Sequence, residues 1–183
     1  RGTMTINSNK FNNDKKSSKS YLLRNGSVID VLKKKIFKND LFIKNQIIEK
    51  IGKDLSSKID KDTEIIECKN LFISPGFIDM RVNISEPGNE HKETIKTASM
   101  SAASGGVTSI ICMPNTVPPI DQPAIIQSIQ RKAREVALSK IFCTGCITRN
   151  FEGNEICELH LMKESGAVGF TDGIKSIQNT RVM

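Results

Sequence analysis

Tryptophan is absent from this 183-residue chain and tyrosine occurs once. Few rings are therefore available for stacking on nucleic-acid bases. No run approaches the 18 or more apolar residues of a membrane span, and the polar opening, Arg1 to Ser20, lacks the apolar core of a signal peptide. Neither a nucleic acid nor a membrane is expected as a partner. Five cysteines, with no secretory signal, do not read as a disulfide framework, and a cytoplasmic location is expected. Acidic residues are short only in one place. Residues 1–75 carry 16 Lys and Arg against 9 Asp and Glu, whereas residues 76–183 carry 11 of each. The whole net charge of +7 is thus an N-terminal solvated surface.

What is present falls into three textures. Residues 1–20 are rich in Asn, Lys and Ser, lack hydrophobic periodicity and are expected to be a disordered basic arm. Residues 21–75 hold short segments rich in Ile, Leu, Val and Phe, at Tyr21–Val31, Lys35–Lys44, Gln46–Ile51 and Thr63–Ile73. Asn25-Gly26, Asn39-Asp40 and Gly52 punctuate them, which predicts strands of a small sheet. From Ser74-Pro75-Gly76 onward, strands and amphipathic helices alternate at about 30 residues per unit.

In that third region Phe77–Ile84 alternates, with Met80, Val82 and Ile84 on one face and Asp79, Arg81 and Asn83 on the other. A helix bearing Ile95, Ala98, Ala102 and Ala103 stops at Gly105-Gly106. Val107–Cys112 is an apolar strand. Asp121 is expected to cap a helix that has Pro123 in its first turn. Lys140–Ile147, Glu155–Ser165 and Ala167–Phe170 then read as strand, helix and strand. Residues 76–183 thus carry four strands and three complete helices, a pattern of parallel strands with helical crossovers. It fits an open doubly wound sheet or the first half of an eight-stranded barrel. No G-x-G-x-x-G follows a strand, which argues against a dinucleotide site. Polar residues gather at the strand C-terminal ends, where barrel enzymes place their chemistry. Arg1 at the start, a first Met at position 4 and a pattern running unbroken to Met183 suggest a fragment of a longer protein.

Those strand ends also carry a resemblance. Ile73-Ser74-Pro75-Gly76-Phe77-Ile78-Asp79, Glu86-Pro87-Gly88, Lys92-Glu93-Thr94, Ala102-Ala103-Ser104-Gly105-Gly106-Val107-Thr108, Cys112-Met113-Pro114-Asn115-Thr116 and Lys163-Glu164-Ser165-Gly166-Ala167-Val168-Gly169-Phe170 occur in the order and spacing of dihydroorotases. The chain resembles that branch of the amidohydrolase superfamily over about residues 21–183. The resemblance implies an α/β fold, a small β-sandwich from residues 21–75 preceding the first half of a (β/α)8 barrel. It also implies the family reaction of pyrimidine biosynthesis, the interconversion of dihydroorotate and carbamoyl-aspartate, helped by zinc. Asn115 matches the residue that holds the substrate carboxylate, and Asp172 falls in the segment that supplies a metal-facing carboxylate.

The metal-binding strand departs from the family. The usual His-x-His-x-Arg-Glu-Pro-Gly reads Arg81-Val82-Asn83-Ile84-Ser85-Glu86-Pro87-Gly88. Arg81 and Asn83 replace the two histidines and Ser85 the substrate arginine. A guanidinium cannot become a ligand. At ~4 Å from a cation it costs about 4 kcal/mol per unit of metal charge at an effective dielectric near 20. Neutral Asn is a poor zinc ligand. The two histidines, His91 and His160, are expected at the surface or in packing, and Cys143 and Cys146 in packing. Arg81 is expected to pair with Asp172 in place of the metal, with no zinc at the Arg81–Asn83 position and no catalytic residue in this stretch. The function expected is that of a catalytically impaired dihydroorotase-like homologue. One alternative is a non-catalytic scaffold partner of aspartate transcarbamoylase, and another is a hydantoinase- or allantoinase-type hydrolase. A dihydroorotate-like small molecule and an oligomeric state are further expectations.

Overall fold

The computed structural model describes residues 19–173 and 175–182. The chain divides into two compact units between Pro75 and Gly76. Most of the expected basic arm lies outside the described residues. Its last residue, Ser20, is buried, and its carbonyl accepts the Glu64 N–H at 2.9 Å, so Ser20 belongs to the sheet.

In the first unit, β1 (Tyr21–Asp30), β2 (Lys35–Lys44), β3 (Ile47–Gly52), β4 (Glu64–Glu67) and β5 (Phe72–Ile73) form one mixed sheet. Its order is β3-β2-β1-β4, with β5 pairing parallel to β1. The segment expected as one strand over Thr63–Ile73 is two. A turn at Cys68–Leu71 separates them, with Asn70 in the left-handed region at φ 65°. Asn25-Gly26 is a bulge inside β1. Asn25 takes φ 62° there. A Cβ on Gly26 would lie 2.3 Å from Ile73 Cδ1, so only glycine lets β5 approach β1. Leu22, Phe42 and Leu55 form the small core. Buried Asp40 accepts N–H bonds from Asn25 at 2.9 Å and Leu55 at 3.0 Å, joining the bulge to the turn after β3.

The second unit is a parallel sheet of β6 (Phe77–Val82), β7 (Val107–Cys112), β8 (Lys140–Gly145) and β9 (Ala167–Phe170), in the order β6-β7-β8-β9. The crossovers carry α1 (Ile95–Ser104), α2 (Pro123–Val136) and α3 (Leu159–Glu164). Ile110, Cys112, Ile141 and Cys143 project from the middle strands onto Ile95, Ala98, Ile126, Ile129, Ala133 and Met162. Period-2 and period-3.6 apolar patterns thus meet in one layer. Thr94 caps α1 through a reciprocal bond with Thr97. Asp121 does not cap α2. Gln122 occupies that position without a side-chain bond, and Pro123 opens the helix. Helix α3 is shorter than the expected Glu155–Ser165. Thr148 and Ile156 form a bridge, and Cys157 N–H bonds to Ile147 O at 2.9 Å, so residues 155–157 belong to the loop. Among the described residues no helix is long and apolar enough to cross a membrane.

Candidate functional site

The C-terminal ends of the four parallel strands bring the predicted site residues to one end of the sheet. Beyond β6, the Glu86-Pro87-Gly88 turn is held from both sides. Glu86 Oε2 accepts the Ile95 N–H at 2.7 Å, placing a carboxylate on the N-terminus of α1, where the helix dipole favours it. Lys132 Nζ lies 4.0 Å from its other oxygen. Pro87 O accepts Val117 N–H at 3.0 Å. Gly88 sits at φ 101° with its Cα against Val117, where a Cβ would come within 2.0 Å of the Val117 carbonyl oxygen. Glu90 Oε1 accepts the Gly88 N–H at 2.9 Å, and that bond holds the Glu90 carboxyl below its usual range.

The turn after β7 is anchored in the same manner. Met113 N–H bonds to Val82 O at 2.9 Å, Ile120 N–H to Pro114 O at 3.0 Å, and Thr116 Oγ1 donates to Pro118 O at 2.7 Å. Pro114 and Thr116 are buried, while Asn115 between them is exposed. The turn therefore presents Asn115 outward on a backbone fixed by these bonds.

Arg81, Asn83 and Ser85 stand at the other edge of the sheet. Arg81 and Asn83 are exposed and Ser85 half-buried. Strand β6 is an outer strand, with Phe77, Ile78 and Met80 each more than 60% exposed. The Arg81 backbone N–H bonds to Asp79 Oδ1 at 3.0 Å.

Asp172 corrects an expectation. It does not pair with Arg81. β6 and β9 are the outer strands with two strands between them, about 14 Å apart at the usual strand spacing. The Asp172 carboxylate is instead 4% exposed and turned into the loop after β8. Oδ1 accepts the N–H groups of Ile147 at 2.8 Å and Thr148 at 3.0 Å, and Oδ2 accepts the Thr148 hydroxyl. Thr148 Oγ1 in turn accepts Gly153 N–H at 3.0 Å. An Arg149–Glu155 ion pair at 3.2 Å closes the same loop. A cavity of about 570 Å³ lies beside it, lined by Phe151, Glu152, Asn154, Asp172 and Lys175 among others. Sequence reasoning marked Thr148-Arg149-Asn150 as polar residues at a strand end. It missed that Thr148 is the partner of Asp172, because the two are 24 residues apart.

His91 is exposed, and His160 is an exposed helix residue 3.4 Å from Glu164. Neither belongs to the strand-end cluster. Cys143 and Cys146 are fully buried free thiols, in packing positions. Contact with the Cys112 thiol, then burial, pushes Cys143 up, and burial pushes Cys146 up. Such thiols are inert.

The sequence profile of the dihydro-orotase-like family matches residues 70–183. The chain belongs to the dihydroorotase-like family. It is 41% identical over 162 residues to a dihydroorotase of Caldicellulosiruptor saccharolyticus, covering 88% of this chain and 37% of that one. It is 38% identical over 162 residues to a dihydroorotase of Aquifex aeolicus, covering 88% and 38%. The chain therefore spans little more than a third of the length of these curated relatives. In fold it is similar to an L-hydantoinase from Arthrobacter aurescens, with a TM-score of 0.72 and 24% identity over 84% of this chain and 32% of that one. The α/β fold of this family member is thus similar to that of the L-hydantoinase over the part they share.

Proposed function

We propose that this chain is the opening part of a dihydroorotase-like protein of pyrimidine biosynthesis whose framework is kept and whose metal-dependent hydrolysis is impaired. The four-stranded parallel sheet is half of a (β/α)8 barrel, and further strands pair with the outer edges of β6 and β9. The five-stranded sheet of the first unit is one layer of the small β-sandwich. Its exposed Ile47, Ile48, Ile65 and Ile66 are the surface a second layer covers.

The observation that carries the proposal is the contrast at the strand ends. The turns that position ligands are held by buried bonds at Glu86, Thr116 and Pro114. Among the described residues no three His, Cys, Asp or Glu side chains gather where they could hold zinc. In the family zinc polarises the amide carbonyl and supplies hydroxide. Here Arg81 cannot coordinate, Asn83 is neutral, and three bonds hold the Asp172 carboxylate in the loop after β8. The donor set does not fit the metal. Asn115 remains, on a rigid turn, to contact the carboxylate of a dihydroorotate-like molecule, so binding without turnover is the expected behaviour. The names of the relatives aligned by sequence favour dihydroorotate over a hydantoin as that molecule, since the likeness to L-hydantoinase is one of fold.

Purified full-length protein, assayed for dihydroorotate hydrolysis with added zinc, is expected to turn over below ~0.1 per second, under the ordinary enzyme range. Turnover of 1 per second or more, on the order of ordinary enzymes, would contradict the proposal. A retained framework with an eroded centre also suits a scaffold, and aspartate transcarbamoylase is the partner proposed. Co-elution of the two proteins at micromolar concentration would support that role, and two separate peaks would remove it.

A further inference from the structure

Strand β8 ends at Gly145, the Cys146 N–H turns to Ile120 O at 2.7 Å, and the Ile147 and Thr148 N–H groups that follow have left the β8–β9 ladder. Buried N–H groups there need an acceptor from elsewhere. Asp172 supplies it, two residues past the end of β9. A carboxylate offers about four lone-pair sites. Two on Oδ1 go to consecutive backbone N–H groups, and one on Oδ2 goes to the Thr148 hydroxyl. The same hydroxyl accepts Gly153 N–H, so a chain of bonds runs from the end of β9 through Thr148 to the far side of the loop. Asp172 is 4% exposed and Thr148 0% exposed, so the bond between them is shielded from water, while Ile147 and Gly153 are half-buried.

We infer that Asp172 is a structural tie that fastens the loop at residues 147–153 to the end of β9, and that its carboxylate is not available to a divalent metal. One lone pair on Oδ2 remains, but three bonds already fix the orientation of the group, and among the described residues no set of three His, Cys, Asp or Glu side chains gathers around it to complete a metal site. The bonds assign the aspartate before Gly173 to the tie. The inference rests on the reading of an eroded metal centre and adds a third lost metal position to Arg81 and Asn83.

The test is amide hydrogen exchange at Ile147, Thr148 and Gly153 in the full-length protein, with zinc uptake measured by calorimetry. Asp172→Asn should speed exchange at Ile147 and Thr148 about 10- to 100-fold, the loss expected for bonds to a charged acceptor. Equimolar zinc should leave wild-type exchange at these amides unchanged, and any zinc uptake should be equal in wild type and Asp172→Asn. Unchanged exchange in Asp172→Asn, or zinc uptake abolished by it, would overturn the tie. If Asp172→Asn fails to fold, Thr148→Val should speed exchange at Gly153 about tenfold while Thr148→Ser keeps it near wild type. Equal exchange in both would also overturn it. Zinc bound equally by both proteins together with dihydroorotate turnover would overturn the eroded centre and leave the tie standing.

Discussion

In the parallel α/β unit fifteen buried side chains form one cluster, whereas the mixed sheet before Pro75 gathers three, Leu22, Phe42 and Leu55. The difference follows from what covers each sheet. Helices α1, α2 and α3 lie on one face of the parallel strands and exclude water from Ile110, Ile141 and Cys143. The described residues of the first unit include no α-helix, only a short 3-10 turn at Leu55–Lys58, and Ile36, Ile47 and Ile48 are each more than half exposed. A sheet short of apolar cover depends more on bonded polar groups, and Asp40 is such a group there. The helix-backed sheet can spare its open face for side chains such as Arg81 and Asn83 that contribute nothing to the core.

The largest test of this comparison is a matched pair of core truncations. Ile126 and Leu22 are both fully buried. Ile126→Ala should lower stability by about 3–5 kcal/mol, and Leu22→Ala by about 2–3 kcal/mol, because fewer neighbours surround the cavity it leaves. Urea unfolding followed separately in the two units reads both. Equal losses would mean that the small core is as well packed as the large one.

Most of this contrast was legible in the sequence. Apolar segments before Pro75 and alternating strands and helices after it mark these elements, except that β4 and β5 read as one strand, and the pattern is clearest where one face is buried, as in α1 and α2. What was not legible depends on partners distant in sequence. Residues 155–157 have a helical composition, yet the bridge from Thr148 to Ile156 draws them into a loop. Asp121 has the right type and place for a cap, yet its carboxylate faces Asn150 N–H at 3.4 Å. Arg81 and Asp172 were expected to pair because the resemblance puts both at one metal site. The strand order separates them, and local backbone donors take the carboxylate first. Of the site, the replaced residues could be read directly from the motif, while the use made of Asp172 could not.

A middle-sized effect sharpens the polar side of the comparison. Asp40→Ala strips the acceptor from two N–H groups in the first unit and should cost about 2–3 kcal/mol. Thr94→Ala removes the cap of α1 in the second unit and should cost about 1 kcal/mol, since exposed N–H groups there can turn to water. Thermal unfolding of the two variants should preserve that order. A larger loss from Thr94→Ala would reverse the assignment of polar dependence to the first unit.

The smallest effect is the alkaline pH dependence that one thiol of the second unit contributes. Burial, then the Asp121 and Asp172 carboxylates, push the Cys157 thiol up to about 11 from its usual 9.0. Between about pH 9 and 11 the folded chain holds a proton that the unfolded chain has released. Stability must therefore fall as pH rises through that window and be untouched below it. Cys157→Ser should flatten the fall, measured as the unfolding midpoint against pH. An unchanged slope would show that Cys157 ionises alike in both states.

The account as a whole claims that the strand-end framework is kept while the zinc-binding groups are gone. Anomalous scattering at the zinc edge, from crystals of the full-length protein grown with zinc, tests that claim most directly. The account predicts no anomalous peak within bonding distance of Arg81, Asn83 or Asp172. A peak about 2.0–2.2 Å from an Asn83 or Asp172 oxygen, the usual zinc–oxygen distance, would contradict it.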